Sequence, residues 1–468
     1  MPRKAAIVEL PNIDEPLEVT LAEKLTLPKV QVGKELWTWV QHQLTVPNMQ
    51  FSLLKKLGKS TWNTPPEFLM FDYEGGDYIL PRGFVGDLVK YLQKTGRDFE
   101  LKDKRIKLPE IELTSNIELR EYQSKALETI QKFHFGVIVA PPGSGKTVLG
   151  IELIARYKQP ALILVHRKEL LDQWIERASS FLGIDKKEIG IIGSGKRKVG
   201  EKVTVATIQT LYAMRAELPE LAKQFGFVIV DECHHVPANT FSQVIENFNP
   251  FYMYGLTATP GRKNKDEKLI FLRIGQIICT INPNSGENFQ LRPRTKVNIR
   301  RTDLYLPFDY GEDTYELLNR CLIFDSHRNQ QIVKDILEEV KNKHSILVLT
   351  ERKDHVEILN MYLQDKCDTL TVTGDDPKTV RQKKLTQVRA GKFQVLIATG
   401  QLMGEGVDIS NLNCLFLVYP FSFEGKLVQY IGRIQRTTKE QILYDYHDHR
   451  IEFLDKQFKK RQAYYQGI

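Results

Sequence analysis

The chain of 468 residues has few cysteines: Cys233, Cys279, Cys321, Cys367 and Cys414, with no Cys-x-x-Cys pair among them. Scattered and odd in number, they offer neither a disulfide framework nor a structural zinc site, and they suit a reducing compartment. The first residues, MPRKAAIVELPNIDEP, lack the apolar core of a secretory signal, and no apolar run approaches the length of a membrane span. Neither a short-period repeat nor a low-complexity tract is apparent. No nuclease cluster of the Pro-Asp…Glu-x-Lys type is apparent either, so cutting of nucleic acid would need a partner chain.

What is present reads as globular. Hydrophobic residues make up 42% and charged residues 26%, enough for several cores, and the length suits about three domains. The net charge of +8 suits a polyanionic partner, because neutralising phosphates releases condensed counterions.

Two similar successions of short aliphatic runs stand out. The first is GVIVA (136–140), ALILV (161–165), VTVAT (203–207), FVIVDE (227–232) and MYGLTA (253–258). The second is SILVLT (345–350), TLTVTG (369–374), QVLIAT (394–399), CLFLVYP (414–420) and ILYDY (442–446). Continuous apolar runs of this length fit strands buried on both faces of a parallel sheet. Helical patterns lie between them, so the fold class is α/β, with two doubly wound domains in tandem. Residues 1–112 differ in texture, hold Trp37, Trp39 and Trp62, and are expected to form a small α+β domain. The first α/β domain is expected over 113–285, a linker rich in Asn, Gly, Pro and Ser over 286–300, and the second α/β domain over 301–468.

The sharpest motif is APPGSGKT, Ala140–Thr147, directly after the first run. It is a phosphate cradle at a strand-to-helix junction. Gly143 and Gly145 let the backbone turn so that successive N–H groups face phosphate oxygens, with Pro142 and Ser144 completing the loop. The following helix adds its positive end. Lys146 reaches the β- and γ-phosphates, and Thr147 offers a hydroxyl to Mg²⁺. A strict P-loop has Gly where this chain has Ala140.

A P-loop needs an acid on a neighbouring strand, and FVIVDECHH supplies Asp231 and Glu232. Asp231 would hold Mg²⁺ through water, and Glu232 would polarise the attacking water. Adjacent strand residues point to opposite faces, so both can act only if the strand ends there. His234 could couple this site to motion by bonding to Thr257-Ala258-Thr259, so Thr257 and Thr259 are candidate coupling residues. Cys233 and His235 read as structural.

With LREYQ (119–123), LVHRKELLDQW (164–174), VATIQTL (205–211), ATGQLMGEGVDI (398–409) and QYIGRIQR (429–436), these motifs stand in an order that resembles superfamily 2 helicases over roughly residues 115–450. The DECH box, the compact size and the leading ELWTWVQHQLTVPN resemble the XPB-like group, which includes phage helicases of recombination and branch migration. The resemblance implies two RecA-like domains with ATP as the nucleotide, and an ATP-dependent DNA helicase or translocase acting in replication, recombination or repair. Its DNA would be forked, branched or partly single-stranded, bound by a monomer with no membrane association. The expected location is the cytoplasm, near the nucleoid or in a host cell.

By position in that family, Gln123 would read an adenine edge, with Arg120 or Tyr122 covering the base. Arg433 and Arg436 would approach the γ-phosphate, and Gln429 would sense it. Gly404 and Gly406 would allow close backbone approach, with Asp408 meeting the ribose. Arg167, Thr207, Gln209 and Thr399 would hold nucleic-acid phosphates, which fixes position without reading sequence. Lys196-Arg197-Lys198 could reach duplex phosphate or sit at a solvated hairpin tip. The three tryptophans could stack on bases, but a core role suits Trp37 and Trp39, whose period-two spacing shares a face if the segment is extended. Two further readings stay open: a duplex-DNA translocase subunit of a restriction-type complex, and an RNA helicase. A scaffold that only binds nucleic acid is disfavoured by Lys146, Asp231, Glu232 and Arg436 together.

Overall fold

The computed structural model describes residues 15–465 except 57, 59, 236–238, 259–266, 282–294, 307–314, 401–408, 410–411, 422–423 and 435–439. The chain divides into two compact units, Met1–Ala140 with Gly145–Asn282, and Pro283–Ile468 with Pro141–Ser144.

The first unit opens with strands β1 (Leu17–Leu21), β2 (Lys24–Pro28), β3 (Thr45–Pro47), β4 (Glu67–Leu69), β5 (Asp72–Glu74), β6 (Asp77–Pro81) and β7 (Phe99–Asp103). Five of them form a mixed sheet in the order β5-β6-β2-β1-β7, while β3 and β4 pair separately. Leu17, Val19 and Leu21 alternate inward along β1, as a half-buried strand requires. Helices Lys34–Leu44 and Val85–Thr95 cover that apolar face. This is the expected α+β segment, with one change. Trp37 and Trp39 lie on a helix rather than an extended segment, and each, half-buried, packs against the core and stacks on Tyr78 and Tyr91 respectively.

The segment does not stand apart from the α/β domain that follows. Leu269 and Leu272 of helix Lys268–Ile274 complete its core. Gly83 lies so close to that helix that a Cβ there would sit 2.0 Å from the Phe271 carbonyl oxygen, so only glycine fits. The Arg82 guanidinium donates to the carbonyls of Phe248 (3.4 Å) and Pro250 (3.3 Å). Burial beside Arg105 pulls it down to about 9.

The α/β domain of this unit adds β8 (Phe135–Val139), β9 (Ala161–Val165), β10 (Gly190–Gly193), β11 (Lys196–Lys198), β12 (Val203–Thr207), β13 (Phe227–Asp231), β14 (Tyr252–Thr257) and β15 (Ile277–Thr280). Their order is β11-β10-β12-β9-β13-β14-β8-β15. All neighbours run parallel except the β10–β11 hairpin. β9, β12, β13 and β14 are buried along their whole length, because helices pack on both faces.

The second unit repeats the plan with β16 (Thr295–Arg301), β17 (Ile346–Thr350), β18 (Thr369–Val372), β19 (Val395–Thr399), β20 (Cys414–Leu417) and β21 (Gln441–His447). The order is β16-β21-β20-β17-β19-β18, all parallel. β16 corrects the sequence reading: residues expected in the linker form an edge strand in full register with β21. The sequence TKVNIRR gives no aliphatic run because only one flank of an edge strand is paired and its side chains stay largely exposed.

Candidate nucleotide and DNA site

Five neighbouring parallel strands of the first unit, β12, β9, β13, β14 and β8, end in one row. Thr207 lies opposite Val165, Leu164 opposite Val230, Asp231 opposite Leu256, and Thr257 opposite Val139. The residues that follow each strand therefore emerge along a single carboxyl edge, where open α/β sheets bind ligands.

The P-loop leaves β8 along this row. Gly143 and Gly145 have φ of 75° and 88°, left-handed values that favour glycine. Pro142 is half-buried and Gly143 exposed. The buried Ser144 hydroxyl donates to the Pro141 carbonyl at 2.7 Å, which tightens the turn. Lys146 and Thr147 begin the helix Lys146–Tyr157, whose Leu149, Ile151, Leu153 and Ile154 are buried. The Lys146 ammonium donates to Glu232 Oε1 at 2.6 Å.

The two carboxylates share this place because the backbone bends. β13 ends at Asp231, and Glu232 adopts φ 48°, a left-handed conformation rare for a residue with a Cβ. Such a conformation costs about 1–3 kcal/mol and is usually kept where it serves a site. Cys233–His235 then form a single 3-10 turn. Burial drives the Asp231 carboxyl above its ordinary range, and the neighbouring Glu232 charge adds to this. Burial pushes Glu232 the same way, but the Lys146 cation and the His234 ring together outweigh it and hold that carboxyl well below the usual range. Burial works against the Lys146 charge, yet Glu232 and Asp231 leave the ammonium above its ordinary value.

Trp174, absent from the sequence-level candidates, donates its indole N–H to Asp231 Oδ2 at 2.7 Å. It is 1% exposed at the heart of helix Lys168–Leu182. Its apolar periodicity marks a core residue, and nothing local announces its polar tip. Asp231 Oδ1 accepts the Glu232 backbone N–H at 3.0 Å. His234 Nδ1 lies 3.2 Å from the Thr257 hydroxyl and 3.2 Å from Glu232 Oε2.

Gln123 is buried beside the loop. A Cβ on Gly145 would meet its Nε2 at 2.3 Å, and its Oε1 accepts the Arg120 backbone N–H at 2.9 Å, capping helix Glu121–Ile130. Arg120 itself is exposed and Tyr122 buried. Arg167 caps helix Lys168–Leu182 just beyond β9. Beyond β12, the Thr207 hydroxyl pairs with that of Thr210 at 2.8 Å, and the exposed Gln209 donates to the His166 carbonyl at 2.9 Å. Lys196-Arg197-Lys198 form β11, the exposed arm of a hairpin.

In the second unit, Thr399 ends β19 opposite Thr350 of β17. Gln429 and Arg433 lie one turn apart on helix Glu424–Ile434, Gln429 half-buried and Arg433 8% exposed. Thr259, Gly404, Gly406, Asp408 and Arg436 lie outside the described residues. Trp62 is 92% exposed, in contrast to Trp37 and Trp39. Among the described residues no helix is long and apolar enough to cross a membrane.

Fold and site together define a P-loop protein with tandem α/β domains. Residues 116–262 match the family described as type III restriction enzyme, res subunit, and residues 328–438 match the family described as helicase conserved C-terminal domain. The chain thus carries two tandem helicase domains like those of superfamily 2 helicases. It is 27% identical over 402 residues to the DNA 3'-5' translocase XPB2 of Sulfurisphaera tokodaii, covering 76% of this chain and 87% of that one. It is 27% identical over 410 residues to a putative ATP-dependent RNA helicase of Acanthamoeba polyphaga mimivirus, covering 84% of this chain and 75% of that one. The solved structure of T4 UvsW aligns with 97% of each chain at 17% identity and a TM-score of 0.45.

Proposed function

We propose that the chain is an ATP-dependent DNA helicase or translocase that remodels forked and branched DNA in replication, recombination or repair. The observation that carries this is the single row of strand ends. It brings Lys146, the Asp231–Glu232 pair and the His234–Thr257 contact together, beside the turns that hold Arg167 and Gln209.

The residues fit a Mg²⁺–nucleotide complex. Burial, and after it the adjacent Glu232 charge, raise the Asp231 carboxyl, which is the kind of strain a divalent cation relieves. Thr147 and Asp231 would hold that ion, which would supply positive charge to neutralise the phosphates. Lys146 would turn from Glu232 to the phosphates. Glu232 would then lose the cation that depresses it, and its carboxyl would rise toward a value better matched to accepting a proton from water. Gln123, Arg120, Pro142, Gly143, Ser144 and Gly145 would cradle and select the nucleotide. Arg433, with Arg436, would supply positive charge to the transferring phosphoryl group, while Gln429, Gly406 and Asp408 would complete recognition. Arg167, Thr207, Gln209 and Thr399 would hold strand phosphates, and the N-terminal segment would add a DNA contact.

The test is ATP-dependent strand displacement on a panel of labelled forks, four-way junctions and RNA duplexes, with Lys146→Ala as control. Unwinding of forks or junctions by the intact chain alone supports the proposal. Unwinding confined to RNA duplexes would overturn it. The match to a restriction subunit favours a second reading, a duplex translocase, and movement along duplex DNA without strand separation would select that instead. Arg433→Ala should bind ATP normally yet turn it over roughly 10³–10⁵ times more slowly, read by steady-state hydrolysis.

A further inference from the structure

Three imidazoles bridge the gap between two of these strand ends. The His234 and His235 rings lie 4.2 Å apart between centroids, tilted by 37°. The His235 and His166 rings lie 4.3 Å apart, tilted by 44°. Phe241 closes the far side, 6.1 Å from His235 and 6.5 Å from His166. At one end of the stack, His234 touches both Glu232 and Thr257. At the other end, His166 is bonded along the chain to Arg167, and its carbonyl accepts from Gln209. β9 and β13 are adjacent strands, so the rings span from the residues following one strand to those following the other. Centroid separations of this size put the tilted rings in direct contact, and a packed contact transmits displacement because it resists compression.

We propose that His235 and His166 are positioning residues that link the ATP-site carboxylates to the turn bearing Arg167 and Gln209, so that the acceleration of ATP turnover by DNA passes through their ring stack. This rests on the DNA-motor reading above and adds the route. The place of His235 is between the carboxylate-bearing turn and the neighbouring strand end. If Arg167 shifts on engaging a phosphate, His166 moves with it, His235 follows, and His234 is displaced against Glu232 and Thr257.

The experiment measures ATP hydrolysis by the full chain, with and without a polythymidine single strand and a blunt DNA duplex. DNA binding is followed separately by fluorescence anisotropy. The variants are His235→Ala, His166→Ala, their double substitution, and the ring-keeping His235→Phe. Basal hydrolysis should stay within about twofold of the parent. Stimulation by DNA should fall about tenfold in each alanine variant, inside the ~5–150-fold range typical of coupled sites. The double substitution should lose no more than either single one, since both break one connection. His235→Phe should recover most of the stimulation, which a general loss of folding would not allow. Full stimulation in His235→Ala, or His235→Phe as defective as His235→Ala, would overturn the route. A parent chain that no DNA stimulates would instead remove the motor reading, and the route with it.

Discussion

In the second unit, Arg461 grips Asp445 through two parallel hydrogen bonds of 2.9 Å, Tyr465 donates to the same carboxylate, and Arg461 also donates to the Phe421 carbonyl. Arg328 holds Asp448 in the same bidentate way, with Thr302 as a further donor. In the first unit, Lys146 faces two adjacent carboxylates, one on a residue in a left-handed conformation. Both regions bury full charges, but the second matches each anion to a planar fork, while the first leaves two anions on one cation. A matched pair has little left to offer a ligand. A mismatched trio is a place where an added cation or phosphate changes the balance. Burial of charge alone therefore does not mark a site; the imbalance does.

That contrast can be broken at several points, in descending order of effect. Arg461→Met should cost about 3–5 kcal/mol in denaturant unfolding, because Asp445 is left buried without its partner. Adding Asp445→Leu should recover most of the loss. Lys146→Ala should leave the fold intact while ATP turnover drops at least roughly 10²–10³-fold, in line with removing one positioned charge donor. Stability lost in proportion to activity would mean the trio is structural after all. Trp174→Phe removes the donor to Asp231 while keeping the ring in the core. About 1–3 kcal/mol should be lost, read as weaker Mg²⁺-dependent ATP hydrolysis with less change in metal-free nucleotide binding.

Per pH unit, the smallest effect concerns His355, which is fully buried in the second unit. Its Nε2 faces Asn329 Oδ1 at 3.1 Å and its Nδ1 faces the Thr350 hydroxyl at 3.0 Å, partners that suit a neutral ring. Burial, with the nearby Arg328 cation, pulls its pKa down from 6.5 to about 3. Below pH 6.5 the unfolded chain takes up a proton that the folded chain refuses. Stability from this group is therefore full above that pH and falls on acidification toward pH 3, by about 1.4 kcal/mol per pH unit. Unfolding curves across that window should show the slope, and His355→Gln should flatten it.

Much of this was legible in the sequence. Strands buried on both faces announce themselves as aliphatic runs, and β9, β12, β13, β17 and β19 lie where the runs were read. β16 was not legible because an exposed edge strand has no such run. The helix bearing Trp37 and Trp39 was not legible from local spacing, since its partners, Tyr78 and Tyr91, lie some forty to fifty residues on. The loop Gly143–Thr147 and the pair Asp231–Glu232 could be read as chemistry because their spacing carries it. Trp174 and the histidine stack could not, because a side chain's contact with a distant strand end depends on sheet order, which no single stretch encodes.

The fastening of the N-terminal segment by Arg82 and Gly83 has a practical consequence for anyone designing shorter versions of this protein. Cutting the chain at residue 105 would strip Leu269 and Leu272 of their cover and deprive the Phe248 and Pro250 carbonyls of their donor. Those carbonyls belong to the turn that leads into β14 and so to Thr257. A trimmed enzyme that keeps every catalytic motif would thus arrive sticky and poorly aligned.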